Sequence, residues 1–385
     1  MSETQPSSSE KFRKRGVDYD VPEEMYTLTG DYYHSEQIYQ EELEKIFYKR
    51  WQLACRAEQI PEIGDFVVVP VGEESIIVTR AKTGAISAAF NVCRHRGTRM
   101  CMEEKGHFQN GIIQCPYHAW QYDLEGKLKG APFMKDVPGF NKEDYGLFPV
   151  HIHEWGGFVF INISESPSAF EDEMGALIGR FEDWRLPELR IAHHLPYRLK
   201  CNWKLILQNY QECYHCPGVH PMLAELTPFQ NAVHDCMEGA VIGGFMTMAK
   251  QGGSMTMDGE AAAPPVCDVS GDNLNRVHYY SIYPNLLLSP HPDFVMYHLI
   301  RSVGVGEITN DCYFLLHPDV MKDDRKMERF QSAVEFWDMT NKQDWDVCEQ
   351  MQLGTRSRRF DRGRYAPQED ILYALDREVL NALGH

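Results

Sequence analysis

The sequence predicts an α+β protein of two domains, a small antiparallel β domain followed by a larger domain that mixes helices and strands. Three observations lead to this. The chain has 385 residues, more than one ordinary hydrophobic core holds. Between residues 66 and 163, short β-branched runs alternate with Gly and acidic turns, the pattern of a small antiparallel sheet. After about residue 165 helical periodicity appears and strands return later, so the second part is a mixed domain.

Residues 1–20 are polar and rich in Ser, Glu and Lys, which reads as a disordered tail. Glu36 to Trp51 carries Ile38, Leu43, Ile46 and Phe47 at helical spacing. Strands are expected at Phe66–Val71, Ser75–Thr79, Ile86–Val92, Ile112–Cys115, Trp120–Leu124 and Gly157–Ile163. Helices are expected at Ala169–Trp184 and Asn202–Cys216. Residues 237–272 are rich in Gly, Met and Ala and include Ala-Ala-Ala-Pro-Pro at 261–265, which reads as a long surface loop. Strands follow at Val277–Tyr283, Val295–Ser302 and Asp311–Leu316, then helices at Arg325–Gln350 and Glu369–Leu383. The domain bounds are 45–165 for the β domain and 166–385 for the second, with 21–44 packing on the latter.

The net charge of −18 argues against nucleic acid as a partner, since phosphate binding needs clustered Lys and Arg. No apolar stretch resembles a signal peptide or a membrane span, so a cytoplasmic location is expected. The eleven cysteines are then reduced thiols rather than a disulfide framework.

Some of those cysteines are spaced for metal. Residues 93–120 read CRHRGTRMCMEEKGHFQNGIIQCPYHAW, with two paired-ligand turns, Cys93-x-His95 and Cys115-x-x-His118. Each turn offers one thiolate and one imidazole. Two such turns hold a two-iron cluster, the cysteines on one iron and the histidines on the other. The same Cys2His2 set suits zinc, and spacing alone does not choose between them. Cys101 reads as an ordinary thiol and His107 as a surface histidine.

A second constellation lies in residues 202–221, NWKLILQNYQECYHCPGVHP. His215 and His220 are five residues apart, and two imidazoles with one carboxylate make the facial triad of non-haem iron(II). Glu212 precedes His215 by three residues, which on a helix places both on one face. Asn209 is a candidate supporting group. The acidic, amphipathic run NKQDWDVCEQ at 341–350 is either a solvated helix face or the source of the carboxylate.

Cys-x-His-Arg-Gly, Cys-Pro-Tyr-His-x-Trp, and Asn-Trp-Lys followed by Asn, an acid, Tyr-His and His-Pro together resemble the Rieske-type ring-hydroxylating oxygenase family. The resemblance covers roughly residues 30–370 and is nearest the quaternary-amine branch. The 19 residues between the two Cys/His motifs (96–114) slightly exceed the family's usual gap, which enlarges the turn near Glu103–Asn110. The resemblance implies a Rieske [2Fe–2S] cluster on Cys93, His95, Cys115 and His118. It also implies a helix-grip catalytic domain around a central antiparallel sheet, with mononuclear Fe(II) on His215, His220 and Asp344; Asp346 is the alternative carboxylate. Glu212 would bridge His215 to His118 of a neighbouring subunit in a head-to-tail homotrimer. Most members carry Asp there, so Glu alters the reach. No G-x-G-x-x-G nucleotide fingerprint occurs in the chain, and electrons would come from a separate flavin- and iron–sulfur-containing, NAD(P)H-dependent reductase.

Two substrate classes compete within this reading. One is a small quaternary amine of the betaine or carnitine type, oxidised with O2. It is favoured by Glu212 and by the tract HYYSIYPNLLLSPHPDFVMYH (278–298). Tyr279, Tyr280, Tyr283, Phe294, Tyr297 and Trp337 are candidates for an aromatic cage around the cation. The other is an aromatic ring or aryl ether. A third reading, of a different class, is a non-catalytic electron-transfer or zinc-binding protein.

Overall fold

The computed structural model describes residues 22–385, and the tail expected over residues 1–20 lies outside them. The chain divides into two units, Phe47–Ser168 and Ala169–His385, the latter joined by the N-terminal segment up to Ile46.

In the 47–168 unit the β-branched runs pair into small antiparallel sheets. Strands β1 (Gln52–Arg56), β9 (His151–Trp155) and β10 (Phe158–Asn162) form one, in the order β1-β10-β9. Strands β2 (Asp65–Val71), β3 (Glu74–Arg80), β4 (Ile86–Phe90) and β5 (Lys105–His107) form a second, in the order β4-β3-β2-β5. Strands β6 (Ile112–Gln114), β7 (Gln121–Asp123) and β8 (Leu128–Gly130) form a third meander. Phe66, Ile77, Cys93, Cys115, Trp120 and Tyr122 share one buried cluster, so both cysteine-bearing loops are rooted in the core.

The other unit is built on a seven-stranded antiparallel sheet. Its strands are β11 (Arg190–Leu199), β12 (Ala232–Glu238), β13 (Val241–Thr247), β14 (Arg276–Ile282), β15 (Leu286–Pro290), β16 (Val295–Gly304) and β17 (Glu307–Leu316). They run in the order β11-β17-β16-β15-β14-β13-β12. Helix α1 (Glu36–Glu42) precedes the sheet in sequence, and helix α2 (Trp203–Gln211) follows β11. Asn202 caps α2 through the Lys204 N–H, the usual role of Asn at that position. Trp203 Nε1–H donates to Glu42 Oε2 at 2.8 Å, and Lys204 makes a buried ion pair with the same carboxylate, tying α2 to α1. After the short helices α3 (Cys216–Val219) and α4 (Pro221–Leu226) come the strands, then the 31-residue helix α5 (Asp324–Gly354) and finally α6 (Asp370–Leu383). Helix α5 buries Phe330, Ala333, Phe336 and Trp337 against Met296 and Phe314 of the sheet, a helix gripped by strands. No helix among the described residues is long and apolar enough to cross a membrane.

Three local expectations need correction. Ala169–Trp184 is helical only at Phe170–Met174 and then breaks into short turns, where Gly175 and Gly179 interrupt the periodicity. The start of the expected 237–272 loop is the β12–β13 hairpin. Its glycines serve close backbone approach. A Cβ at Gly244 would lie 1.9 Å from Val233 O, and one at Gly243 2.2 Å from Tyr279 O. The remainder of that segment buries Met248, Met255, Ala262 and Val266, so it is packed and not a free surface loop. Finally, α2 ends at Gln211, and Glu212 is extended (φ −128°, ψ 148°).

Candidate metal centres

Both ligand-bearing loops of the 47–168 unit are tight turns. After β4, the Cys93 N–H donates to Thr98 O (2.9 Å) and the Gly97 N–H to Cys93 O (3.0 Å). Gly97 takes φ +71° to close that turn, a conformation glycine adopts without steric cost. The β6–β7 hairpin pairs Gln114 with Gln121, so Cys115 to Trp120 is its tip, closed by the Cys115 N–H on Trp120 O at 2.8 Å. Cys93 and Cys115 are buried, while His95 is exposed and His118 half-buried. The two imidazoles lie 4.6 Å apart, and His95 stacks on buried Trp120 at 4.9 Å. Burial raises the Cys93 thiol above its usual range, against the hydrogen bond to Tyr122 Oη (3.5 Å). Desolvation, then His118 and Arg96, lower His95, favouring the neutral form that ligates metal.

The two donor sets differ in spread. Among the described residues, His215, His220 and Asp344 bring three donor atoms within 4.8 Å of one another, whereas no three of Cys93, His95, Cys115 and His118 do. One zinc ion requires its donors about 2.0–2.3 Å from a single point. The cysteine–histidine set, with both thiols buried and both imidazoles nearer the surface, suits a two-iron cluster with thiolates on one side and imidazoles on the other.

The compact triad stands where α2 gives way to α3 and α4. His215 is the residue before α3, and His220 separates α3 from α4. Asp344 projects from α5. His220 Nε2 lies 2.7 Å and His215 Nε2 3.3 Å from Asp344 Oδ1. The other ring nitrogens are held from behind. His215 Nδ1–H donates to Glu212 Oε1 (2.7 Å), and His220 Nδ1–H to Gln343 Oε1 (2.7 Å). Both Nε2 atoms are thereby free to ligate, the arrangement in which outer partners fix a ligand's tautomer. The Glu212–His215 contact does not come from a helical face; extended Glu212 reaches across the turn and also accepts the Tyr214 and His215 N–H groups. Asn209 Nδ2–H donates to Asp344 Oδ1 at 3.0 Å. Burial works against charge on Asp344 and His215, yet their mutual bonds prevail. Asp344 is lowered, and His215, bonded also to Glu212, is pushed up to about 11. The site therefore favours positive charge next to its carboxylates, and the donors fit a divalent ion of the non-haem iron type. Asp346, the alternative ligand, is exposed, because two residues along a helix point away from each other. Gln343 was not singled out from the sequence; an amide beside a candidate carboxylate carries no signal there.

A cavity opens on this triad, lined among others by Asn209, Tyr279, His298, Trp337 and Trp345. Of the proposed cage, Tyr279 and Trp337 line it. Tyr280, Tyr283, Phe294 and Tyr297 do not. Tyr280 and Tyr297 fall on the opposite sheet face by strand alternation. Tyr280 donates to Asp235 Oδ1 (2.6 Å) and Tyr297 stacks on Tyr313 (4.9 Å). Phe294 stacks on His291 (4.1 Å) in the core, and Tyr283 packs 5.6 Å from Trp203. His298 and Trp345, not anticipated from the sequence, take their places. Burial pushes His298 down to about 4, so it is neutral.

Residues 50–141 match the Rieske [2Fe-2S] domain, and residues 182–385 match the ring hydroxylating alpha subunit (catalytic domain). The chain is 28% identical over 403 residues to the glycine betaine monooxygenase oxygenase subunit of Pseudomonas aeruginosa (strain UCBPP-PA14), covering 93% of this chain and 90% of that one. It is 28% identical over 348 residues to the carnitine monooxygenase oxygenase subunit of Escherichia coli (strain K12), covering 88% and 87%. The quaternary ammonium Rieske monooxygenase CntA, in an inhibitor complex, has the same fold, with TM-score 0.78 at 22% identity over 94% of this chain and 99% of that one. With a Rieske [2Fe–2S] domain leading into a catalytic domain of the kind that binds mononuclear iron, the chain belongs to the ring-hydroxylating oxygenase family and is a Rieske oxygenase.

Proposed function

We propose that this chain is the terminal oxygenase of a multicomponent system that oxidises a small quaternary ammonium compound with O2. The observation that carries this is the triad cavity. Aromatic Tyr279 and Trp337 line it beside the carboxylates of Glu212 and Asp344, and no Lys or Arg among the described residues lines it. Aromatic faces attract a desolvated cation. An aryl acid would instead bring net negative charge to a wall where no Lys or Arg side chain among the described residues pairs with it. The similarity to oxygenase subunits acting on glycine betaine and carnitine supports the same class.

In this reading His215, His220 and Asp344 hold Fe(II), and Cys93, His95, Cys115 and His118 hold the cluster. When bound, these groups supply electrons and dioxygen activation, the chemistry side chains cannot provide. The chain's own residues orient and shield. Gln343 and Glu212 fix the imidazoles, Asn209 fixes Asp344, and the buried walls exclude water from the cationic head. Glu212 would also reach His118 of a neighbouring subunit, which requires a homotrimer or a multiple of one, a ring that closes by rotation. Electrons come from a separate NAD(P)H-dependent reductase. The free thiols and that donor support a cytoplasmic location.

The test is a substrate panel. Protein with both metal centres loaded is reduced chemically and exposed to oxygen with betaine-type amines or, separately, aryl acids and methoxyarenes. Oxidation at an N-methyl or neighbouring carbon releases an aldehyde, which is the expected product. A hydroxylated or O-demethylated arene, with no product from any amine, would move the enzyme to the aromatic branch.

A further inference from the structure

The cavity contains more than the metal triad and an aromatic wall. We infer that it also reads the far end of the substrate, with the indole N–H groups of Trp337 and Trp345 binding a carboxylate, so that the substrate is a betaine and not a hydroxyl-terminated amine. This rests on the amine reading above and goes a step beyond it.

Trp337 and Trp345 are eight residues apart on α5, a spacing that keeps both on one broad face. Both line the cavity and both are buried, at 4% and 7% exposure. Neither Nε1 has a hydrogen-bond partner among the described residues. An indole nitrogen can only donate, and buried donors are nearly always paired. The hydroxyl of Tyr279, on the same cavity, is also without a partner.

Three other polar side chains of the lining have their donors engaged within the protein. Asn209 donates to Asp344, the Thr340 hydroxyl to Phe336 O (2.9 Å), and His298 Nδ1–H to Asn310 Oδ1 (3.2 Å). Among the described residues, the fully buried side-chain atoms of the cavity lining that are left without a partner are thus two N–H groups and a hydroxyl, all able to donate, and the ligand group that satisfies them is an acceptor. Among the described residues no Lys or Arg lines the cavity, so the acceptor is met by neutral N–H and O–H groups. A carboxylate offers about four lone-pair sites and charge-assisted bonds. Joined to a quaternary ammonium it carries no net charge into the buried site, whereas choline offers only a hydroxyl, a weaker acceptor for those N–H groups.

The experiment is calorimetric binding to the fully loaded enzyme under argon, so that nothing turns over. The ligands are tetramethylammonium, choline and glycine betaine. Wild type should bind betaine about tenfold or more tightly than choline. Trp337→Phe and Trp345→Phe keep an aromatic face and remove the N–H. In each, the ratio of betaine to tetramethylammonium affinity should fall about tenfold, with cluster absorbance and iron content as in wild type. Choline binding as tightly as betaine in wild type overturns the inference, whatever the variants do. A variant that weakens betaine and tetramethylammonium equally overturns the assignment of its N–H. If none of the three ligands binds, it is the quaternary-amine reading itself that fails.

Discussion

Replacing Gln343 tests how the mononuclear site is held. Its Oε1 accepts His220 Nδ1–H at 2.7 Å, and His220 is only 2% exposed. Gln343→Leu keeps the volume and removes the acceptor. Because water cannot reach the ring to replace it, the buried N–H is left unsatisfied, a loss of about 1–3 kcal/mol. The imidazole can also move its proton to Nε2, the atom facing Asp344, where it competes with metal. Both effects weaken the same equilibrium. Fe(II) affinity should fall about 10–100-fold, or about 1.4–2.8 kcal/mol. The assay is anaerobic Fe(II) titration of protein stripped of mononuclear iron, with the cluster absorbance followed as an internal control. Gln343→Glu restores an acceptor and should recover the affinity. Iron binding of wild-type strength in Gln343→Leu, or no recovery in Gln343→Glu, would refute this account of the site.

Four further outcomes follow from the same structure. Glu212→Ala should retain both metals at saturating iron but slow substrate-dependent reoxidation of the cluster about 10–100-fold, read by stopped-flow absorbance; normal turnover would remove its bridging role. Cys93→Ser should bleach the cluster while the mononuclear site still binds iron, since the two donor sets are separate. Asp376 is fully buried, and burial raises its carboxyl to about 7 against hydrogen bonds from Gln208 and Tyr365. The folded state then holds this proton more tightly than the unfolded chain, so its contribution is full below about pH 4 and is lost as pH rises to about 7, roughly 4 kcal/mol at most. Asp376→Asn should flatten the fall in thermal midpoint between those values, and an unchanged slope would contradict the assignment. Gly244→Ala, whose Cβ would meet Val233 O at 1.9 Å, should cost about 1–3 kcal/mol of stability by chemical denaturation.

Much of the chemistry was legible because it is local. Cys93-x-His95 and Cys115-x-x-His118 lie on turns whose residues, Gly97 among them, are adjacent in sequence. The β-branched runs around Val67 and Ile77 read directly as strands. What was hidden depends on register and reach. Tyr279 lines the cavity and Tyr280 does not, a choice made by the pairing of β14, which no single strand reveals. Gly243 looked like a loop residue because Tyr279 of β14, pressed against it, is distant in sequence. Glu212 contacts His215 at the spacing expected of a helix but from extended backbone, because its longer side chain spans the turn. Trp345, Gln343 and His298 had no motif to announce them; their roles arise only where α5 meets the sheet.

The most direct test of the central claim is a single-turnover experiment on the purified protein with both metal centres loaded. The enzyme is reduced chemically, mixed with glycine betaine and oxygen, and quenched for aldehyde. The account predicts aldehyde in proportion to the enzyme present, with loss of the signal in His220→Ala although the cluster spectrum is retained. Oxidation of the cluster without aldehyde from any quaternary amine, or aldehyde formed equally by His220→Ala, would contradict it.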